Sequence, residues 1–266
     1  MKWIQSLLIA VMLCALPAAG QEWARAVLEK SPRHAEWVQL KHGDRTVWAF
    51  VVYPEVKNKA AAVVVIHEIT GLTDWARSVA DQLAANGYIA IAPDLLSGMG
   101  PKGGKTGDFP DVDAAREAVS KLDPDQVTAD LNAAADYVKK LPAANGKLAV
   151  AGFCWGGGES FRFATNHRNK DLSAAFVFYG PPPKDVSGIS VPVYGFYAGN
   201  DERIDATIPD TREAMKKAGK KYDPVTYEGA GHGFMRAGED PGNTVEANKK
   251  ARSEAWQRWL AVLKGM

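Results

Sequence analysis

Cysteine is scarce in this chain of 266 residues, which contains only Cys14 and Cys154. Removal of an N-terminal segment that includes Cys14 would leave one cysteine, which excludes an intramolecular disulfide. An excess of one charge is also missing, because 32 Lys and Arg residues face 31 Asp and Glu residues. Without a basic patch or a run of like charges, nucleic acid is excluded as an expected partner.

Metal-ligand spacing is missing as well. The five histidines are scattered, and no histidine stands three residues after Glu68, so His67-Glu68 does not begin an H-E-x-x-H motif. Residues 100–106 resemble a phosphate-binding loop, but that motif requires glycine where Met99 stands. We therefore expect no metal and no organic cofactor, and we expect residues 97–109 to form a surface loop.

A long apolar run is found at the N-terminus. A positive charge at Lys2, an apolar stretch over 3–16 and small residues up to Gly20 predict a secretory signal peptide over residues 1–20. The stretch is short for a membrane span, and no second one follows. Cys14 lacks the preceding small residue that a lipoprotein signal requires. We therefore expect an exported protein, periplasmic or secreted, without a membrane contact after cleavage of the signal.

The mature chain, residues 21–266, alternates strand patterns with helix patterns. Apolar runs bounded by turn residues predict strands, and apolar spacing of three to four residues predicts helices. The predicted strands are 36–40, 46–53, 60–66, 88–92, 148–151, 174–179, 191–197 and 225–228. The predicted helices are 73–85, 111–122, 124–141, 159–164, 205–218 and 245–263. The first two strands predict a hairpin. The alternation that follows predicts one α/β domain with a mostly parallel sheet flanked by helices.

The sequence around Cys154 has the form of a nucleophile elbow. An apolar strand leads into Gly152-Phe-Cys-Trp-Gly156, and a helix follows, so cysteine stands where such turns usually hold serine. The glycines are needed because a neighbouring Cβ would clash with the crossing backbone. The N–H groups at the start of the helix favour a thiolate. On this motif alone, a buried structural cysteine fits as well as a nucleophile.

An acid and a histidine follow the elbow along the chain. Asp201 stands just past one predicted strand, and His232 stands in a glycine loop after the next. The order nucleophile, acid, base predicts an α/β-hydrolase fold, in which all three meet at one edge of the sheet. His232 would take the thiol proton, and Asp201 would orient the imidazole. Singly, each also fits a turn or surface residue, but their joint placement favours a catalytic triad.

Four motifs carry a resemblance to a known family. They are Gly152-Phe-Cys-Trp-Gly-Gly157, His67-Glu-Ile-Thr-Gly71, Gly199-Asn-Asp201 and His232-Gly-Phe-Met-Arg236. By these motifs the sequence resembles the dienelactone hydrolases, also called carboxymethylenebutenolidases, over about residues 48–263. The resemblance implies hydrolysis of small esters or lactones through an acyl-thioester on a cysteine nucleophile.

The resemblance also implies roles for residues outside the triad. The backbone N–H groups of Ile69 and Trp155 would form the oxyanion hole. Glu68 would help to deprotonate the thiol when an anionic substrate binds. Arg236 would pair with the substrate carboxylate, although the position also fits a surface arginine. One position departs from the prototype enzymes, because Gly98 stands where they carry a second substrate-binding arginine.

We therefore expect a monomeric hydrolase with a small-molecule ester or lactone substrate and no cofactor. Two other functions stay open. An acyltransferase would pass the acyl group from Cys154 to an acceptor other than water. A non-catalytic or redox-sensing protein would bind a small molecule and use Cys154 as a redox-sensitive thiol. The lack of a second mature cysteine and the presence of Glu68, Asp201 and His232 favour the hydrolase.

Overall fold

The computed structural model describes residues 21–166 and 172–266, and the predicted signal peptide lies outside this range. One sheet in the described part contains eight strands. They are β1 (Ala35–His42), β2 (Arg45–Val52), β3 (Ala60–Ile66), β4 (Ile89–Pro93), β5 (Ala144–Phe153), β6 (Leu172–Phe178), β7 (Val193–Ala198) and β8 (Tyr222–Tyr227). Their order across the sheet is β1-β2-β4-β3-β5-β6-β7-β8.

The predicted hairpin and the predicted parallel sheet are both confirmed. β1 pairs antiparallel with β2, with His42 opposite Arg45, and Gly43 takes a positive φ of 53° in the tight turn between them. β2 pairs antiparallel with β4. From β4 through β3, β5, β6 and β7 to β8, every neighbouring pair is parallel. The carboxyl ends of these parallel strands therefore lie at one edge of the sheet.

Helices cover both faces of the sheet. The described helices are α1 (Glu22–Glu29), α2 (Asp74–Ala85), α3 (Val112–Ser120), α4 (Pro124–Lys140), α5 (Trp155–Phe163), α6 (Glu202–Asp205), α7 (Ile208–Lys217), α8 (Phe234–Ala237) and α9 (Glu246–Lys264). Strand β3 shows why two faces are covered: Val63 and Val65 pack with α2 and α9, whereas Val64 and Ile66 pack with α4 and α5. The fold is that of an α/β hydrolase, as predicted.

Four predicted boundaries differ from the structure by three residues or more, and one of them is the start of β5, at Ala144 rather than at residue 148. The helix predicted over about 205–218 corresponds to α7, which begins at Ile208, after the separate short helix α6 ends at Asp205. Pro209 explains the second start, since proline suits the first turn of a helix and cannot continue the previous one. Strand β8 begins at Tyr222, three residues before the predicted start. Helix α5 begins directly after Cys154 rather than at residue 159.

The surface loop expected over residues 97–109 contains two short 3-10 turns, Pro101–Gly103 and Thr106–Asp108. Buried Asp94 fastens this loop, because its carboxylate accepts hydrogen bonds from the backbone N–H and the hydroxyl of Thr106. The Thr106 hydroxyl oxygen in turn accepts from the backbone N–H of Leu72. None of the described helices is long and apolar enough to cross a membrane.

Candidate active site

Cys154 stands between the end of β5 and the start of α5 in a strained backbone conformation. Its φ of 58° and ψ of −118° cost a non-glycine residue about 1–3 kcal/mol, which the surrounding packing must offset. The backbone N–H of Cys154 donates to the carbonyl of Phe178 at 3.0 Å. A Cβ on Gly152 would lie 1.8 Å from the carbonyl oxygen of Gly156, so the sharp turn requires glycine there. This is the geometry that the elbow motif predicts.

Cys154, His232 and Asp201 meet at the carboxyl edge of the sheet. The Nε2 of His232 lies 3.0 Å from the Cys154 sulfur, and its Nδ1 donates to Oδ2 of Asp201 at 2.5 Å. Asp201 is buried, whereas the imidazole is one-third exposed. The hydrogen bond to Cys154, with a smaller effect of Asp201, raises the pKa of His232 to about 9 despite its burial. At neutral pH the ring therefore carries a proton on each nitrogen, and Nε2–H donates a hydrogen bond to the Cys154 sulfur.

Glu68 and Arg236 form an ion pair near Cys154. Glu68 follows β3 by two residues and is 5% exposed. Arg236 stands on α8, four residues after His232, and its Nε donates to Oε2 of Glu68 at 2.8 Å. The nearby Glu68 carboxylate raises the pKa of Arg236 above its usual value. The arginine that the resemblance assigns to a substrate carboxylate is thus held by a carboxylate of the chain itself.

The two predicted oxyanion donors lie next to each other in the fold. Ile69 follows the end of β3, and Trp155 is the first residue of α5. A Cβ on Gly156 would lie 2.3 Å from the carbonyl oxygen of His67, so the start of α5 touches the end of β3. Within the described chain, the backbone N–H groups of Ile69 and Trp155 donate to no other group. Both N–H groups are free to bind a ligand oxygen.

Comparison with known proteins identifies the family to which this site belongs. A family model described as the dienelactone hydrolase family matches residues 47–266. The chain belongs to the dienelactone hydrolase family. The matched range begins within β2, covers every later strand and includes every predicted site residue.

Individual relatives of this dienelactone hydrolase family member agree with the match. A protein of Salmonella typhi named "Putative carboxymethylenebutenolidase" is 33% identical over 227 residues, which are 80% of each chain. A protein of Saccharolobus solfataricus with the same name is 32% identical over 250 residues, covering 81% of this chain and 93% of the relative. A solved structure from Klebsiella pneumoniae, described as a "Putative Dienelactone Hydrolase", is 26% identical, with a TM-score of 0.74, covering 88% of this chain and 99% of that one.

Gly98 does not lie among the site residues of this family member. It takes a φ of 80°, and a Cβ there would face the Arg45 guanidinium at 4.0 Å. Arg45 does not replace a missing substrate arginine, because its N–H groups bind buried Asp130 and the carbonyls of Leu95 and Ser97. No group of three or more His, Cys, Asp or Glu residues in the described segments is arranged to hold a metal ion.

Two residues near the site escaped prediction. Tyr179 is fully buried with a positive φ of 41°, and its ring meets the His232 ring edge-on at 5.1 Å between centroids. Its hydroxyl has no hydrogen-bond partner among the described residues, and burial raises its pKa well above the usual value. The only signal was a polar residue at the end of an apolar strand. His67 belongs to one of the four resemblance motifs and was otherwise considered only as a metal ligand, whereas the structure places it against the Glu68 carbonyl and the Trp155 ring.

Proposed function

We propose that this protein hydrolyses small esters or lactones through an acyl-thioester on Cys154. The observation that carries the proposal is the unbroken chain of hydrogen bonds from Asp201 through His232 to the Cys154 sulfur. A sulfur that accepts a hydrogen bond from a cationic imidazole is favoured as a thiolate, which is a strong nucleophile. Its place at the start of a helix, beside two free backbone N–H groups, suits attack on a carbonyl carbon.

The proposed reaction has two halves. The Cys154 sulfur attacks the substrate carbonyl carbon, and the carbonyl electron pair moves to oxygen, where the N–H groups of Ile69 and Trp155 bind the new charge. Collapse re-forms the carbonyl and breaks the bond to the alkoxide, which takes the Nε2 proton of His232. Water then attacks the thioester carbonyl while His232 accepts its proton. The second collapse releases the acid and regenerates the thiolate beside imidazolium.

We propose that Glu68 and Arg236 adjust the site to the charge of the substrate. A substrate carboxylate would compete with Glu68 for the Arg236 guanidinium, because both are anions that suit bidentate pairing. Release of Glu68 beside the sulfur would then supply a base for any thiol that remains protonated. Because glycine stands at position 98, Arg236 would be the single arginine that binds the substrate carboxylate. The protein is therefore expected to accept neutral esters as well as carboxylate-bearing ones.

The proposal is tested by trapping the intermediate. A small activated ester is mixed with the protein, quenched in acid and analysed by intact mass. We expect an added acyl group on wild type and none on Cys154→Ala, which should also lose turnover and unfold at nearly the wild-type temperature. Lys184→Ala, at an exposed residue of the loop after β6, serves as the matched control and should keep both properties. Turnover by Cys154→Ala would remove the covalent mechanism.

Two further measurements separate the hydrolase from the other functions. Product analysis with added alcohols tests transfer, since an acyltransferase would form the new ester in preference to the acid. A panel of esters, lactones and thioesters, each with and without a carboxylate, is measured on wild type and Arg236→Ala to test whether Arg236 binds the substrate carboxylate. A loss of turnover confined to the anionic substrates would support that role. A redox-sensing thiol without catalysis would turn over no member of the panel.

We also propose that the protein is exported and works as a monomer. Export rests on the predicted signal peptide over residues 1–20, and N-terminal sequencing of the exported protein should begin at Gln21. The monomer is tested by light scattering of the purified protein. A mass above the 28.7 kDa of the full chain would contradict it.

A further inference from the structure

His67, the residue directly after β3, is fully buried and has one hydrogen-bonded ring nitrogen. Its Nδ1 lies 2.7 Å from the carbonyl oxygen of Glu68. A carbonyl oxygen only accepts, so Nδ1 is the donor, and in the neutral ring Nε2 then carries no proton. Burial lowers the pKa of His67 to about 4, which keeps the ring neutral at physiological pH. The Nε2 atom has no hydrogen-bond partner among the described residues.

The bond from His67 fixes the peptide plane that carries one oxyanion donor. The Glu68 carbonyl accepts a second hydrogen bond, from the backbone N–H of Gly71 at 3.1 Å. The C=O and N–H groups of one trans peptide point in opposite directions. Two donors on the Glu68 oxygen therefore fix the direction of the Ile69 N–H, which has no partner of its own within the described chain.

The same imidazole ring contacts the residue that carries the other oxyanion donor. The rings of His67 and Trp155 are stacked, with centroids 5.6 Å apart and planes 18° apart. Trp155 begins α5, and its N–H points out of the first turn without an intrahelical acceptor. His67 thus touches both halves of the predicted oxyanion hole, one through a hydrogen bond and the other through its face.

We propose that His67 is a positioning residue that holds both oxyanion donors in place. Its Nδ1–H sets the plane of the Glu68–Ile69 peptide, and its ring supports Trp155. The imidazole does not touch the substrate. The inference rests on the proposed function, because the two donors matter only if negative charge develops on a carbonyl oxygen. An unpaired Nε2 is an unfavourable group to bury, and an apolar ring would avoid it while losing the Nδ1 donor.

Two substitutions separate the hydrogen bond from the ring. In His67→Asn, the side-chain amide N–H would take the place of the Nδ1–H group, so this variant keeps the donor and loses the stacked ring. His67→Phe keeps a ring against Trp155 and loses the donor. Since removal of a whole oxyanion donor lowers kcat about 10²–10³-fold, a misaimed donor in His67→Phe should lower kcat about 10–100-fold. KM should change by less than about threefold, because the ground-state carbonyl gains little from the hole.

The closing experiment measures kcat and KM for a neutral activated ester on wild type, His67→Phe, His67→Asn and His67→Ala. We expect kcat to fall in the order wild type, His67→Asn, His67→Phe, His67→Ala, with His67→Asn less than about tenfold below wild type. Alkylation of Cys154 by iodoacetamide forms no oxyanion, so its rate should stay at the wild-type value in all variants. If His67→Phe does not fold, the comparison of His67→Asn with His67→Ala decides, because both lack the ring.

The possible failures are distinguishable. A His67→Phe variant with wild-type kcat, or equal kcat values for His67→Asn and His67→Ala, would overturn the positioning role. Slowed alkylation in step with lowered kcat would show a collapse of the whole site and would also overturn it. A wild-type protein that neither forms the acyl-thioester nor turns over the ester would overturn the proposed function, and this inference with it.

Discussion

The Nε of Arg236 donates to Oε2 of Glu68 at 2.8 Å, joining two residues that lie 168 positions apart in the chain. The exposed fractions of the two side chains differ, being 40% for Arg236 and 6% for Glu68. The carboxylate therefore depends on the guanidinium for compensation of its charge, whereas the guanidinium can turn towards solvent or towards a ligand. Because the Arg236 guanidinium is the exposed member of the pair, an anionic ligand can reach it and compete with Glu68 for it.

Arg236→Met should destabilise the protein, because it leaves the buried Glu68 carboxylate without a partner. Breaking a fully buried pair costs about 3–5 kcal/mol, and the partial exposure here reduces the expected loss to about 1–3 kcal/mol. The double variant Arg236→Met/Glu68→Gln should recover most of that loss in urea unfolding. If the losses of Arg236→Met and Glu68→Gln simply add in the double variant, the ion pair makes no net contribution to the free energy of unfolding.

Gly156→Ala should disrupt the contact between the elbow and β3. The added Cβ would lie 2.3 Å from the carbonyl oxygen of His67 and 2.6 Å from that of Ile66, and backbone atoms at a strand end cannot move aside cheaply. We expect a loss of about 3 kcal/mol or more, at or above the usual range for overpacking.

Gly158→Ala is the matched control for this substitution. It lies on the same helix, and its Cβ would meet only the Pro181 ring at 3.1 Å. A loss below about 1 kcal/mol is expected there, since a small ring shift relieves the contact. Urea unfolding of both variants measures the difference, and equal stabilities would contradict the steric argument.

The parts of the fold that could be predicted are those whose pattern is local. The run Ala60–Ile66 is apolar throughout because both faces of β3 are covered, and its predicted bounds match the structure. The elbow was predictable because a sharp turn between strand and helix restricts the residues at Gly152 and Gly156. The positions of Asp201 and His232 followed from a topological rule: parallel strands place their carboxyl ends at one edge.

The missed features depend on contacts that the local pattern does not contain. The sequence does not show that His67 donates to the Glu68 carbonyl or that its ring stacks on Trp155, because both contacts depend on the three-dimensional fold. Tyr179 directly follows β6, and its positive φ is accompanied by the hydrogen bond from its backbone N–H to the Phe196 carbonyl and by the close approach of Gly180 to α5. The ion pair joins Glu68, in the loop after β3, to Arg236 on α8, and sequence spacing carries no signal for such a pair.

Asp201→Asn should lower kcat about 10²–10⁴-fold while leaving the fold intact. Asp201 accepts the Nδ1 proton of His232, which leaves Nε2 facing the sulfur. An asparagine amide can donate to Nδ1 instead, and the ring would then keep its single proton on Nε2 and could not accept one from the thiol. The iodoacetamide rate of Cys154 near neutral pH should fall in parallel. Full alkylation with lowered kcat would place the role of Asp201 in a later step.

Asp94 and His67 are both buried, and the protonation of the two side chains has opposite effects on the free energy of unfolding. Burial raises the pKa of Asp94 to about 6, so the stability it contributes is complete below its unfolded value of 3.8 and is lost as pH rises through about 6. Burial lowers the pKa of His67 from 6.5 to about 4, so the stability it contributes is present above 6.5 and is lost as pH falls through about 4. Each shift corresponds to about 3 kcal/mol, so between pH 4 and 6.5 their contributions nearly cancel.

Substitution of either residue alone should therefore reveal a dependence of the free energy of unfolding on pH that cancels in the wild-type protein. With Asp94→Asn only the histidine remains, and the free energy of unfolding relative to wild type should rise by about 3 kcal/mol from pH 4 to 6.5. With His67→Asn only the carboxylate remains, and the same difference should fall by about 3 kcal/mol. Urea unfolding at half-unit pH steps measures both, and differencing against wild type removes every other titrating group. Variant curves that run parallel to wild type would show that neither group changes its proton affinity on folding.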